Sequence, residues 1–148
     1  MRNGIRLCAA AFAVLAGACG DGGTGPDEEE LTGTWRATKM EYVSVANSSQ
    51  KVDVVALGAT VTLVLDSDGT YTLTTAVPGQ GQEILSGTWS ASTDVLTCQW
   101  SGQYSGEMQF EMSLSGDTLT LSGAHTDFDI NGDDVDEEAR LNMVLARQ

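Results

Sequence analysis

The stretch that decides the fold is residues 107–114, Glu107-Met108-Gln109-Phe110-Glu111-Met112-Ser113-Leu114. Polar and apolar residues alternate along it without a break. Successive side chains of a β-strand point to opposite faces, so this period of two predicts a strand with one buried face and one face in water. Half-polar strands of this kind are typical of antiparallel sheets.

The same alternation recurs along most of the chain after residue 30. Turn sequences such as Asp66-Ser67-Asp68-Gly69 separate the runs and predict hairpins between neighbouring strands. About eight strands in this order predict an all-β protein, an antiparallel up-and-down meander that forms a small barrel. Residues 52–57 fit either a short helix or an extra strand. The predicted strands cover residues 33–45, 60–66, 70–76, 83–91, 94–101, 105–114, 117–123 and 139–147.

The first 18 residues have the features of a secretion signal. Arg2 and Arg6 give it a basic start, and the apolar run at residues 7–16 is too short to span a bilayer. Small residues then lead to Cys19, in Leu15-Ala16-Gly17-Ala18-Cys19, which resembles the lipobox of bacterial lipoproteins. The resemblance implies that Cys19 is acylated and begins the mature protein. Residues 16–18 also fit the Ala-x-Ala site of ordinary secretion, which would leave Cys19 without lipid.

The leader divides the chain into three predicted parts: a lipoprotein signal peptide at residues 1–18, a flexible acidic tether at residues 19–30 and a barrel domain at residues 31–148. Residues 20–30 offer no apolar side chain that could pack against the domain. We expect the mature protein outside the cytoplasm of a bacterium, in the periplasm or on the outer surface, with its N-terminal lipid in the membrane.

The charge of the chain excludes some partners. Its formal net charge is −14, and loss of Arg2 and Arg6 would leave five basic residues against 21 acidic ones, a net charge of −16. Such a surface repels nucleic acid and anionic lipid headgroups. We therefore expect no nucleic-acid partner, and the lipid rather than charge must hold the protein at a membrane. The sequence does not identify a protein partner.

Residues that could carry catalysis are scarce. Cys98 lies between Leu96 and Trp100 on one alternating face, as expected of a small buried apolar residue. His125 is the only histidine, and no serine or cysteine motif surrounds it. Because the sequence offers no nucleophile with a base, no paired acid and base, and no zinc cluster, it predicts that the protein is not an enzyme.

Gly33-Thr34-Trp35 opens the first predicted strand and resembles the Gly-x-Trp opening of the lipocalins. The resemblance implies a barrel closed at one end by Trp35, with an arginine near the end of the last strand covering its ring. Arg147 has the parity of inward-facing Leu145, so it can lie on the Trp35 ring as a cation on a π face. The segment Asp68-Gly69-Thr70-Tyr71 also resembles a hairpin of the short bacterial lipocalin-like domain lipoproteins. The opening recurs as Gly87-Thr88-Trp89, which indicates a shared packing device rather than a duplication.

Two functions are compatible with such a barrel. In the first, which we favour, it is a binding module that holds a small apolar or amphipathic molecule. In the second, its interior is filled and it is a structural or interaction lipoprotein of the cell envelope. Inward-facing aromatic and methionine side chains would line a cavity in the first and form plain core in the second. They are Tyr71, Trp89, Trp100, Met108, Phe110 and Met112.

Seven of the 21 acidic residues lie between residues 127 and 138. Against the calcium-loop pattern, Gly132 falls at the sharp turn of position six. The expected oxygen ligands are those of Asp127, Asp129, Asn131, the Asp133 carbonyl and Glu138. Calcium is therefore the one cofactor that the sequence suggests. Strands rather than helices flank this segment, so the alternative is a charged, solvated loop.

Overall fold

Nine strands and one helical turn make up the described part of the chain, residues 25–100 and 105–148 of a computed structural model. The helical turn, α1, spans Glu28–Leu31. The strands are β1 (Gly33–Ser44), β2 (Lys51–Asp53), β3 (Thr60–Leu65), β4 (Thr70–Val77), β5 (Gly81–Ser92), β6 (Val95–Trp100), β7 (Gly106–Ser115), β8 (Thr118–Phe128) and β9 (Glu137–Arg147).

Eight of these strands are the eight that the alternation predicts, and the additional strand, β2, begins the ambiguous stretch. Residues 54–58 after it form a turn, not a helix. Asp53 holds this turn against β1, because its Oδ1 accepts hydrogen bonds from the N–H groups of Met40 at 3.2 Å and Val55 at 3.0 Å. The short strand thus depends on contacts with β1 more than on its own sequence.

The strands follow one another in meander order, each antiparallel to the next, and β9 returns to pair with β1. That pairing runs from Trp35↔Arg147 to Ser44↔Ala139 and closes β1 and β3–β9 into an eight-stranded barrel. β1 is divided between two other partners, since residues 33–36 pair with β3 and residues 41–43 with β2. The predicted all-β antiparallel barrel is therefore confirmed.

The core fills the inside of the barrel. In β7 every inward residue from Met108 to Met112 is buried, whereas Glu107, Gln109 and Glu111 on the other face are exposed. Cys98 of β6 is 3 % exposed, as expected of a small apolar residue. The period of two in the sequence is thus the division between the packed interior and the solvated exterior.

α1 lies at the end of the segment predicted to be a tether. Its Leu31 is fully buried in the core, and the Asp27 N–H donates to the Glu30 carboxylate at 3.0 Å at the start of the turn. The predicted signal peptide, residues 1–18, and Cys19 lie outside the described residues. Among the described ranges, no helix has the length and apolar character needed to cross a membrane.

Candidate functional site

One end of the barrel is closed by Trp35 and Arg147. They are register partners on β1 and β9, and Cζ of Arg147 lies 4.2 Å from the centroid of the Trp35 ring. The face of an indole attracts a cation placed this close. Trp35 is fully buried, and its Nε1–H donates to the carbonyl oxygen of Leu31 at 2.8 Å. The indole therefore lies between α1 and the interior of the barrel.

Arg147 also holds α1 in place. Its Nη1 donates to the carbonyl oxygen of Thr32 at 3.0 Å, and its Nη2 donates to that of Glu30. The last carbonyls of a helix have no partner within the helix, so the guanidinium fork satisfies groups that would otherwise depend on water. The ion pair between Arg147 Nε and Asp117, at 3.8 Å, contributes less because Asp117 is largely exposed.

The glycine of Gly-x-Trp has two reasons to be glycine. Gly33 has φ of +139°, a backbone conformation that residues with a side chain rarely adopt. A Cβ built on it would also lie 3.0 Å from Nη1 of Arg147. Gly87, in the second copy of the motif, instead faces the backbone of Gln99, with a built Cβ only 1.8 Å from the carbonyl oxygen. The two copies thus use glycine for different close approaches.

The half of the barrel next to Trp35 is filled by four of the six residues predicted to bind a ligand. Tyr71, Trp89, Phe110 and Met112 are all buried in the core. The Trp89 Nε1–H donates to the Asp66 carbonyl oxygen at 3.0 Å. The Tyr71 hydroxyl has no hydrogen-bond partner within the described ranges, and burial, with a smaller effect of Cys98, raises its pKa to about 12. These side chains form the packed core.

Trp100, the fifth of these residues, lies half-buried against glycines on both neighbouring strands. It is the register partner of Gly87 and of Gly106. A Cβ built on Gly106 would fall 2.1 Å from Cζ2 of the indole, so only glycine leaves room for the ring there. Trp100 borders a surface depression with the two glycines and does not line the interior cavity.

The other end of the barrel contains a cavity of about 250 Å³. On β1 it extends from Met40 to Tyr42, five to seven residues beyond Trp35, which corresponds to about 17–23 Å of strand. Met108 is the one predicted ligand-binding residue that lines it. The other apolar lining residues are Met40, Leu73, Leu85, Phe128 and Leu141. We call this space the mouth cavity.

Larger depressions lie outside the barrel. Two of them, each of about 500 Å³, lie where Gly25 and Pro26 cross the turn between β5 and β6 at Thr93. They are wide open to solvent and are bordered largely by backbone and polar side chains. The mouth cavity is smaller and only partly open to solvent, and small-molecule sites are typically concave spaces with a few polar groups beside apolar side chains.

Two aromatic rings form one wall of the mouth cavity. Tyr42 of β1 and Phe128 of β8 stack with their ring centroids 3.9 Å apart and their planes at 9°. Burial, and to a lesser degree the Glu83 carboxylate, raises the pKa of Tyr42 to about 12. The Tyr42 phenol is therefore neutral at physiological pH and remains a hydrogen-bond donor.

Polar groups lie at the exposed end of the mouth cavity. They are contributed by Thr75, Glu83, Thr126 and Asp127. Glu83 shares the inward parity of Leu85 on β5, whereas Asp127 shares the outward parity of His125 on β8. Glu83 is thus an acidic side chain on the inner face of the barrel that lines the cavity, and Asp127 borders it from the outer face.

The acidic loop after β8 is organised by Asp129. Its Oδ1 accepts from the N–H groups of Gly132 at 2.6 Å and Asp133 at 3.1 Å, and its Oδ2 accepts from Asp134 at 2.9 Å. Glu137 joins this loop by accepting from the N–H of Ile130 at 2.9 Å. The carboxylates of Asp129, Asp133 and Glu137 lie close enough together to share one cation.

Glu138, the predicted closing ligand, does not join this group. Neighbouring residues of a strand face opposite sides, so Glu137 turns toward the loop and Glu138 turns to the outer face, 3.5 Å from Nδ1 of His125. Asp127, the register partner of Glu138, is likewise outside the group. Asn131 was expected to offer an oxygen, and its amide nitrogen donates to the Glu137 carboxylate at 2.5 Å. Oxygen donors of this kind suit Ca²⁺, but the set in the structure is Asp129, Asp133 and Glu137.

The fold agrees with a comparison of the sequence with known families. Residues 31–121 match the lipocalin-like domain. The chain belongs to the lipocalin-like domain family. No curated protein matches it. Lipocalin-like barrels are generally not enzymes, and their fold suits the binding of small ligands.

Sequence reasoning missed most of the mouth of this lipocalin-like barrel. Tyr42, Phe128 and Glu83 were not among the candidates, although alternation places Tyr42 with Met40 and Glu83 with Leu85. Parity is thus a usable signal for which side chains face inward, except across the bulges of β1 and β8, where it reverses. Parity does not show how far along the barrel axis the interior is filled by side chains. That extent decides which inward-facing residues can contact a ligand.

Proposed function

We propose that the protein is a lipid-anchored, extracytoplasmic lipocalin-like barrel that binds a small apolar or amphipathic molecule in the mouth cavity. The observation that supports this most is the partly enclosed space of about 250 Å³ at one end of the barrel, lined by side chains such as Met40, Met108 and Leu141. Apolar surface left unfilled inside a domain loses packing contacts, so a guest that restores them is stabilised there.

The size of the mouth cavity limits the guest. Sites for drug-sized molecules usually enclose roughly 300–1,000 Å³, and this cavity is smaller. Tyr71 and Phe110 fill the barrel below it, so a long chain has no space to extend toward Trp35. We therefore expect a short guest, of about the size of a six-carbon chain with a polar head.

The anchoring part of the proposal is supported by the sequence of residues 1–30. If Cys19 carries the lipid, Cys19→Ala should move the protein from the membrane fraction to the soluble fraction, because an acidic domain has no other attraction to an anionic surface. A variant that stays in the membrane pellet after a high-salt wash would contradict the lipid anchor.

Two neighbouring residues of β5 give a matched test of the binding part. Leu85 lines the mouth cavity, whereas Ile84 points outward and is 59 % exposed. Leu85→Trp should fill the cavity and abolish the binding of 1-hexanol measured by NMR titration. Ile84→Trp adds the same ring to the outer face and should leave binding unchanged. Thermal melts of both variants would establish that each is folded.

The alternative function, a structural or interaction lipoprotein of the envelope, is favoured by the filled half of the barrel around Phe110. The same titration separates the two functions. If neither 1-hexanol nor its ammonium analogue hexylammonium binds the unchanged protein, the mouth cavity is not a binding site and the alternative is the better account.

A further inference from the structure

The mouth cavity has a charge of one sign. Glu83 supplies a carboxylate on the inner face of β5, and no lysine, arginine or histidine is among the described residues that line the cavity. Its register partner on β4 is Thr75, also at the exposed end of the cavity. A guest that enters the mouth therefore meets an acidic group before it reaches the apolar floor.

The Glu83 carboxylate has no partner to neutralise it. Within residues 25–100 and 105–148, it takes part in no ion pair and no side-chain hydrogen bond. Lys39 and Lys51, on β1 and β2, are both paired with Glu41, at 3.1 and 3.6 Å. Since Glu83 is also exposed, its carboxylate is accessible to an incoming cation.

The aromatic wall of the cavity suits the same kind of guest. Tyr42 and Phe128 line the cavity as a stacked pair whose inner faces cover each other, and an outer face of such a pair attracts an ammonium group. Tyr42 and Glu83 line the same cavity. A cation at this end of the barrel would therefore be within the influence of both a carboxylate and the aromatic wall.

We propose that the guest of the mouth cavity is a small cationic amphiphile, a short alkyl amine or ammonium compound. Its charged head pairs with Glu83 at the exposed end, and its apolar part lies against Met40, Leu73 and Met108. This inference rests on the proposed function, because it names the chemical class of the ligand for the same site. The net charge of −14 adds to it, since an acidic protein attracts cations and repels anions.

Three probes with the same tail test the preference: hexylammonium, 1-hexanol and hexanoate, each titrated by NMR at pH 7. Hexylammonium should bind about threefold to tenfold more tightly than 1-hexanol, the ratio expected of one partly exposed ion pair with an aromatic contact. Hexanoate should bind more weakly than 1-hexanol because it meets the Glu83 carboxylate.

Glu83→Gln should remove most of the preference for hexylammonium and leave the affinity for 1-hexanol unchanged. Glu111→Gln, on the outer face of β7, removes the same charge from the protein and should keep the preference. If 1-hexanol binds the unchanged protein as tightly as hexylammonium does, or hexanoate binds most tightly, the inference is wrong and the proposed function stands. If none of the probes binds, both are wrong.

Discussion

Arg147→Ala should destabilise the protein well beyond the usual effect of removing a surface arginine. The side chain covers the Trp35 ring at 4.2 Å and donates to the carbonyl oxygens of Thr32 and Glu30. The cation–π contact is worth about 1 kcal/mol, and two charge-assisted hydrogen bonds at a partly exposed site add about 1–2 kcal/mol. We therefore expect a loss of about 2–3 kcal/mol in the free energy of unfolding, measured by urea titration.

Companion variants separate the parts of this effect. Arg147→Lys keeps the charge but loses the planar fork that reaches both carbonyls, so it should cost about half as much as Arg147→Ala. Trp35→Leu should cost about 2–4 kcal/mol, because it leaves a cavity beside Leu31 and removes the donor to its carbonyl.

A double-mutant cycle tests whether the two residues act together. The combination of Trp35→Leu with Arg147→Ala should show a coupling energy of about 1 kcal/mol. Arg36 is the matched control, since it is the neighbour of Trp35 on the outer face of β1, and Trp35→Leu with Arg36→Ala should show no coupling. A coupling below about 0.3 kcal/mol for both pairs would refute the account of the closed end.

Three further predictions concern the loop, the buried thiol and alkaline pH. Calcium should raise the melting temperature, because at a hundredfold excess over its dissociation constant it would add up to about 2.7 kcal/mol to the free energy of unfolding. Glu137→Gln should abolish this shift, whereas Glu138→Gln should keep it. The opposite result would make Glu138 the ligand. Burial raises the pKa of Cys98 to about 12, so its thiol should not react with iodoacetamide at pH 8 in the folded protein. Mass spectrometry should find Cys98 unlabelled in the folded protein and labelled in urea. Rapid labelling of the folded protein would contradict the burial of Cys98. The pKa of Tyr42 is raised from 10.0 to about 12, so above pH 10 the unfolded state loses the phenol proton before the folded state does. The free energy of unfolding should therefore fall between pH 10 and pH 12, and Tyr42→Phe should reduce that fall. The same dependence of the free energy of unfolding on pH in the variant would refute the burial of the phenol.

The barrel could be predicted from the sequence because its signal is repeated along every strand. Met108, Phe110 and Met112 alternate with polar residues, and both turn chemistry and spacing agree with a meander. β2 and α1 could not be predicted in the same way. Each is only three or four residues long and depends on contacts outside itself: Asp53 of β2 accepts from the N–H of Met40 on β1, and α1 is held by Arg147 at the far end of the sequence.

The two ends of the barrel differ in how much the sequence reveals. The contact of Trp35 with Arg147 can be predicted from the Gly-x-Trp motif in the first strand and from the inward position that Arg147 shares with Leu145 in the last strand. The mouth depends on strand lengths, since β8 continues to Phe128 and β9 begins at Glu137, beyond the predicted bounds. That extension places Phe128 on Tyr42 and turns Glu137 rather than Glu138 toward the loop. The alternation of polar and apolar residues within one strand does not determine how far β8 and β9 extend or which of their residues pair.

The central claim is that the mouth cavity binds a small guest while the rest of the barrel is filled, and the methionines test it directly. Met40 and Met108 line the cavity, whereas Met143 is buried in the core outside the cavity lining. With ¹³C-methyl-labelled methionine, addition of hexylammonium or 1-hexanol should shift the Met40 and Met108 methyl signals in a saturable way and leave Met143 unchanged. Shifts of equal size at Met143, or no saturable shift at Met40 and Met108, would contradict the claim.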